Sequence, residues 1–205
     1  QAGETPLTPP CEFAAETAAL VAYYGAIDPA RPFQTLVYTN AQAPADLDLF
    51  QSTERNLILY DGVGTSLVGS GGVVRMERLV TTYQTNASGA SDESYLDSNT
   101  MLSLMYMRYS FRVRFATRYP RHKLADDNVK VGSGQAIITP KLAKAECVAW
   151  FLEMQELGLV EGIEQFKRDL HVERNVLNRN RLDILLPPDL INQLMVTATK
   201  IQFLL

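Results

Sequence analysis

The chain has 205 residues, 46% hydrophobic and only 20% charged, with a net charge of -4. That is enough apolar material for a packed core and excludes a disordered chain, while the mild charge alone names no partner. Cys11 and Cys147 lie far apart and flank no ligand motif, and the only histidines are His122 and His171. A structural zinc site is therefore not expected, free thiols are the plain reading, and no metal or cofactor is assigned. No apolar run reaches the length of a membrane span, so membrane insertion is not expected, nor is a secretory signal. The opening QAGETPLTPP reads as an exposed lead-in, and the chain is expected to be part of a longer protein.

In chain order, the alanine-rich segment from Glu12 to Tyr24 carries Phe13, Leu20 and Tyr24 at helical spacing, which predicts a helix ending near Gly25. Thr35 to Thr39 is apolar and β-branched, a predicted strand. Asp46 or Asp48 is a candidate cap for a helix from Leu49 to Tyr60, closed by Asp61-Gly62. The period then changes to two. Thr65 to Val68 and Val73 to Tyr83 read as strands joined through the turn at residues 69–72. A polar loop from Asn86 to Ser94 precedes the longest helical stretch, Tyr95 to Tyr119, stopped by Pro120. That helix is apolar nearly all round and is expected to pack against the sheet holding Val73 to Tyr83. Thr139-Pro140 marks a helix start, with Gly158 as its end. A short helix from Ile163 to Asp169 follows, then a hairpin of His171 to Arg174 with Arg181 to Leu186. Ile191 to Leu205 is predicted as a final strand. The class is α/β or α+β, a mixed sheet with packed helices.

Charge is distributed unevenly. Residues 1–61 hold eight acids (Glu4, Glu12, Glu16, Asp28, Asp46, Asp48, Glu54, Asp61) and two bases (Arg31, Arg55). From Ser98 to Ala125 there is no acid, yet that span holds Arg108, Arg112, Arg114, Arg118, Arg121 and Lys123. Three readings are open for this block. It is a helix face balanced by acids from elsewhere in the chain, a docking face for an acidic protein, or a nucleic-acid surface. The aromatics within it lie at helical spacing, as core residues do, and nucleic acid is not assigned as a partner. Chemistry finds no signature: there is no GxSxG, P-loop or HExxH. The GSGG run lies between two strands and opens no helix, and Asp126-Asp127 caps or balances the basic loop before it. The C-terminal strand is either the last strand of its own domain or a strand added to another subunit. Its apolar ending, Phe203-Leu204-Leu205, is an aggregation hazard unless paired.

Several ordered stretches carry a resemblance: ERNLILYDGV (Glu54 to Val63), VRMERLVTTYQTN (Val74 to Asn86), YLD (Tyr95 to Asp97), RYPRHKLADD (Arg118 to Asp127) and GSGQAIITPK (Gly132 to Lys141). ELGLVE (Glu156 to Glu161), VERN (Val172 to Asn175), RLDILLPPDLINQL (Arg181 to Leu194) and the terminal QFLL complete the series. In number and order they resemble the C-terminal part of tail sheath proteins of Mu-like contractile-tailed phages. That resemblance implies a structural subunit, not an enzyme. It implies a homo-oligomer of hexameric rings stacked helically around a tail tube protein, contacting baseplate and tail terminator proteins. Contraction would drive the tube through the host envelope. The subunit would belong to the virion and assemble in the host cytoplasm. Residues 1–75 would close a subtilisin-like domain without protease chemistry, and residues 76–205 would form the C-terminal sheath domain. Thr199, Lys200, Ile201, Gln202, Phe203, Leu204 and Leu205 are the expected subunit-linking strand, and the six basic residues above are candidates to face the tube. The alternatives are a related contractile machine such as a tailocin, or a subtilisin-like hydrolase domain.

Overall fold

A computed structural model describes residues 3–130 and 132–203, which fall into two compact units. One unit comprises residues 3–103 and 192–203 and the other Leu104–Ile191. Among the described residues, five α-helices and four two-stranded sheets make an α+β fold.

In the first unit, α1 (Pro10–Ile27) starts on Pro10, whose fixed φ suits a first turn, and closes where the Asp28 N–H donates to the Tyr24 carbonyl at 2.9 Å. Helix α2 (Ser52–Tyr60) begins where the Glu54 carboxylate accepts from the Gln51 N–H at 2.6 Å. Strands β1 (Thr65–Val68) and β2 (Val74–Arg78) form an antiparallel hairpin. Phe33, Tyr38, Val74 and Met76 form the buried core, with Phe13, Leu20 and Leu102 packed against it. Phe13 stacks on Tyr38 with ring centroids 4.5 Å apart.

Helix α3 (Ser98–Arg118) gives its first residues to this unit and the remainder to the second. In the second unit, β3 (Lys123–Leu124) pairs in parallel with β4 (Ile137–Ile138). The Thr139 hydroxyl caps α4 (Pro140–Glu156), accepting from the Leu142 N–H at 3.4 Å. Gly158, at φ 71°, then reverses the chain into β5 (Val160–Glu161). Helix α5 (Ile163–Asp169) leads into the hairpin of β6 (His171–Arg174) and β7 (Leu182–Leu185), and β8 (Asp189–Leu190) pairs with β5. Trp150, Phe151, Phe166, Leu159 and Val160 are fully buried, and Phe151 stacks on Phe166 at 4.1 Å. Burial of side chains this size contributes about 1.5–3 kcal/mol each.

Several expectations change. Thr35 to Thr39 is not a regular strand. Thr35 adopts φ 72° in a tight turn, and only Val37 bridges β2, although the Thr35 and Tyr38 N–H groups still donate to the Met76 and Val74 carbonyls. Asp46 and Asp48 do not cap α2. They form their own 3-10 turn, and Gln51 with Glu54 opens the helix. The second hairpin strand stops at Arg78, because beyond it the chain is engaged by residues 95–98. Only the start of α3 meets this hairpin region, with the Ser98 N–H donating to the Leu79 carbonyl at 3.3 Å. From Leu104 onward the helix packs within the second unit, where Phe111 meets Trp150 edge-on at 5.2 Å. Regular pairing ends at Leu190, so residues 191–203 form no strand within this chain.

Candidate functional site

The stretches that carry the resemblance bond to one another. Arg78 clasps Asp97 with two hydrogen bonds of 2.9 and 3.0 Å, joining VRMERLVTTYQTN to YLD. This planar fork-to-carboxylate pairing fixes geometry as well as charge. The Thr81 N–H donates to the Leu96 carbonyl at 2.7 Å, and the Tyr83 hydroxyl donates to Asp92 at 2.6 Å. Arg55 of ERNLILYDGV pairs with Glu77 at 2.8 Å. Gly62 follows at φ 75°, where a Cβ would stand 3.0 Å from the Thr81 carbonyl oxygen. In the second unit Asp126 holds Arg174 at 3.2 Å and Arg179 at 2.6 Å, joining RYPRHKLADD to VERN. Asp127 accepts from the Lys141 N–H at 2.8 Å, at the start of α4. These bonds are all internal to the chain.

The six basic residues separate into different environments. Arg114 is withdrawn: its side chain is only 9% exposed and donates to Glu146 and Glu153 of α4. Arg118 reaches the same Glu146 at 2.9 Å but remains half-exposed, and the Tyr119 hydroxyl donates to Glu146 at 3.0 Å. Burial works against the Glu146 carboxylate, but the Arg114 and Tyr119 hydrogen bonds outweigh it and hold its pKa below the ordinary value. Desolvation likewise opposes charge on Arg114, and its bonds to Glu153 and Glu146 more than compensate. Arg108 and Arg112 are exposed on α3 with no ion pair among the described residues. Arg121 is exposed at φ 59°, and Lys123 donates to Gln135 at 3.0 Å. The structure thus brings Arg114 and Arg118 into one internal cluster and leaves Arg108, Arg112, Arg121 and Lys123 outside it. Glu146 and Glu153 were missed in the sequence because they lie 32 and 39 residues beyond Arg114. Their spacing of two helical turns on α4 was the available signal.

Thr199, Lys200, Ile201, Gln202 and Phe203 are exposed, with Ile201 at 92% and Phe203 at 79%. Among the described residues no main-chain hydrogen bond ties residues 192–203 to the body. Leu204 and Leu205 of the expected linking strand lie outside the described residues.

Neither cysteine nor histidine is set up as a reacting pair. Cys147 is buried, and desolvation, reinforced by the adjacent Glu146 charge, pushes its thiol up to about 12. The His122 Nδ1 lies 3.1 Å from the Pro120 carbonyl, and His171 faces Glu173 at 3.2 Å. Among the described residues no group of acids, histidines and cysteines could hold a metal ion, and no helix is long and apolar enough to cross a membrane.

The chain is 45% identical over 193 residues to the Mu-like prophage FluMu tail sheath protein of Haemophilus influenzae, covering 94% of this chain and 39% of that protein. The crystal structure of a sheath tail protein from Desulfitobacterium hafniense superposes with a TM-score of 0.51 at 12% identity, covering 80% of this chain and 38% of that one. At that identity the likeness concerns the fold alone. The chain thus spans about two fifths of the length of each relative. A model of the phage tail sheath C-terminal domain matches residues 90–203, more than half of the sequence, and the chain belongs to that family.

Proposed function

We propose that this chain is the C-terminal portion of a tail sheath subunit that polymerises around a tail tube and contracts to drive it through the host envelope. The subunit is a structural homo-oligomer of the virion, stacked in hexameric rings, assembled in the host cytoplasm and meeting baseplate and terminator proteins at its ends. No catalysis is needed, because the work is stored in the arrangement of subunits. Residues 1–75 close a subtilisin-like domain without protease chemistry, and residues 76–205 form the C-terminal sheath domain.

The observation that carries this reading is the tail. Residues 192–203 make no main-chain hydrogen bond to the body among the described residues, and Ile201 and Phe203 stand exposed on them. An extended segment of this kind gains its hydrogen bonds by adding to the sheet of a neighbour. Thr199 to Leu205 is that linking strand, and it keeps subunits joined while their bodies move. Arg108, Arg112, Arg121, Lys123 and the free side of Arg118 face an acidic tube, while Arg114 serves the subunit's interior.

Removal of Ile201 to Leu205 from the full-length protein tests the linkage by electron microscopy and circular dichroism. The expected result is a folded, soluble protein that forms no tubes. Normal tubes from the truncated protein would refute the linking role. Loss of folding would assign the segment to its own domain.

A further inference from the structure

Helix α1 carries no charged residue from Thr17 to Ile27, and none of its 18 residues is buried. One side is engaged: Phe13, Leu20 and Val21 pack against the core of Phe33, Tyr38, Val74 and Met76. The Glu16 carboxylate is also spent inward, accepting from the Thr39 and Asn40 N–H groups at 2.5 and 3.1 Å. The opposite side is bare. Cys11, Ala15, Ala18, Ala22 and Ala26 follow one another at helical spacing and are all exposed, with Tyr23 65% and Ile27 66% exposed beside them. A surface helix turns charged and polar side chains to water, and one that is apolar all round belongs inside a protein.

The shortfall extends beyond this helix to the core beneath it. Among the described residues the first unit buries the apolar side chains of Phe33, Tyr38, Val74, Met76 and Val80. The shorter second unit buries more than twice as many, Trp150, Phe151 and Phe166 included. A complete domain has a hydrophobic core of its own. The family match begins only at residue 90, so most of the first unit precedes the matched C-terminal domain, and the chain covers 39% of the FluMu protein. A thin core in a chain so much shorter than its relative is the mark of a domain shared with further polypeptide.

We propose that the Cys11–Ala15–Ala18–Ala22–Ala26 face of α1 is covered by the portion of the same polypeptide that lies outside this chain. The occupant presents large uncharged side chains such as leucine, isoleucine or phenylalanine. Alanine lets a neighbouring backbone approach closely and leaves the volume between the two elements to be filled from the other side. A second copy would cover the face only after assembly and would leave an apolar helix open to aggregation on every free subunit, whereas a contact within one polypeptide forms on folding. The inference rests on the reading above that residues 1–75 close a larger domain, and it names the surface on which that domain closes.

Thiol labelling of the full-length protein tests this, with Cys11 as a reporter already on the face. The unassembled subunit is reacted with a maleimide, natively and in urea, and modification at residue 11 is followed by peptide mass spectrometry. Ala18→Cys and Ala22→Cys extend the measurement along the helix, and Ser70→Cys, in the exposed turn between β1 and β2, is the open reference. Cys11 and the thiols at 18 and 22 are expected to react at least about tenfold slower natively than in urea, while Ser70→Cys reacts at nearly its urea rate. Modification of Cys11 and Ala18→Cys at the Ser70→Cys rate in free subunits would overturn the cover. Protection that appears only in assembled tubes would assign the face to a second copy and would also overturn it, leaving the sheath reading standing. Tube formation by the unmodified protein is scored separately by electron microscopy. Its absence would overturn the sheath reading, while the labelling still decides the cover of α1.

Discussion

Arg114 shows how far a charge read from sequence can differ from a charge in the fold. Its neighbours along the chain are all neutral or basic, so balance by acids from elsewhere in the chain and docking to an acidic partner both stood open. Its counter-ions arrive from α4, and the guanidinium is nine-tenths buried between them. Removing Arg114 leaves Glu146 held by Arg118 and Tyr119 and Glu153 open to water, so the cost is that of lost charge-assisted hydrogen bonds, about 1.5–3 kcal/mol. Arg114→Ala is therefore expected to lower the unfolding free energy by an amount of that order in urea melts. Arg108→Ala, on the exposed face, should change it by no more than about 0.5 kcal/mol. A pH effect follows from the same cluster. The folded pKa of Glu146 lies below the ordinary 4.5, so its contribution is complete above 4.5 and is lost as pH falls through the folded value. Thermal melts of the wild type should fall steeply on that acid limb, and Glu146→Gln, already destabilised at neutral pH, should show a shallower fall.

At the scale of elements, legibility tracked how local the signal was. Helix α4 was readable because Thr139-Pro140 opens it and Gly158 closes it, and the β6–β7 hairpin because its two strands flank one short turn. The parallel pair β3–β4 was not readable: two residues pair with two others across a loop longer than ten residues, with no periodicity to detect. Thr35 to Thr39 had strand composition, but the left-handed Thr35 breaks its pairing to one bridge. The C-terminal strand expected from Ile191 onward does not form, because a strand needs a partner and residues 192–203 have no main-chain partner among the described residues. The site divides in the same way. The sequence located the basic block, but only the fold separates Arg114 from the exposed Arg108 and Arg112. Charge reversal of those two exposed residues should weaken assembly around tail tubes, with the deficit largest at low salt, as measured by sedimentation. Exposed pairs contribute about 0–1 kcal/mol each, so a double reversal should reduce assembly without abolishing folding. Unchanged assembly at low salt would exclude a tube-facing role.

Across the whole molecule, cohesion and the proposed assembly contacts fall to different residues. Ion pairs such as Arg78–Asp97 and Asp126–Arg174 hold each unit. Among the described residues, 192–203 make no main-chain bond to the body and the exposed Arg108 and Arg112 make no ion pair, and these are the surfaces proposed for other subunits. A helical reconstruction of the full-length protein by cryo-electron microscopy tests this division most directly. The expected result is a tubular lattice in which Thr199 to Phe203 of one subunit is hydrogen-bonded into a sheet of the next. A lattice in which that segment folds back onto its own subunit, or a protein that remains monomeric under all assembly conditions, would contradict the account.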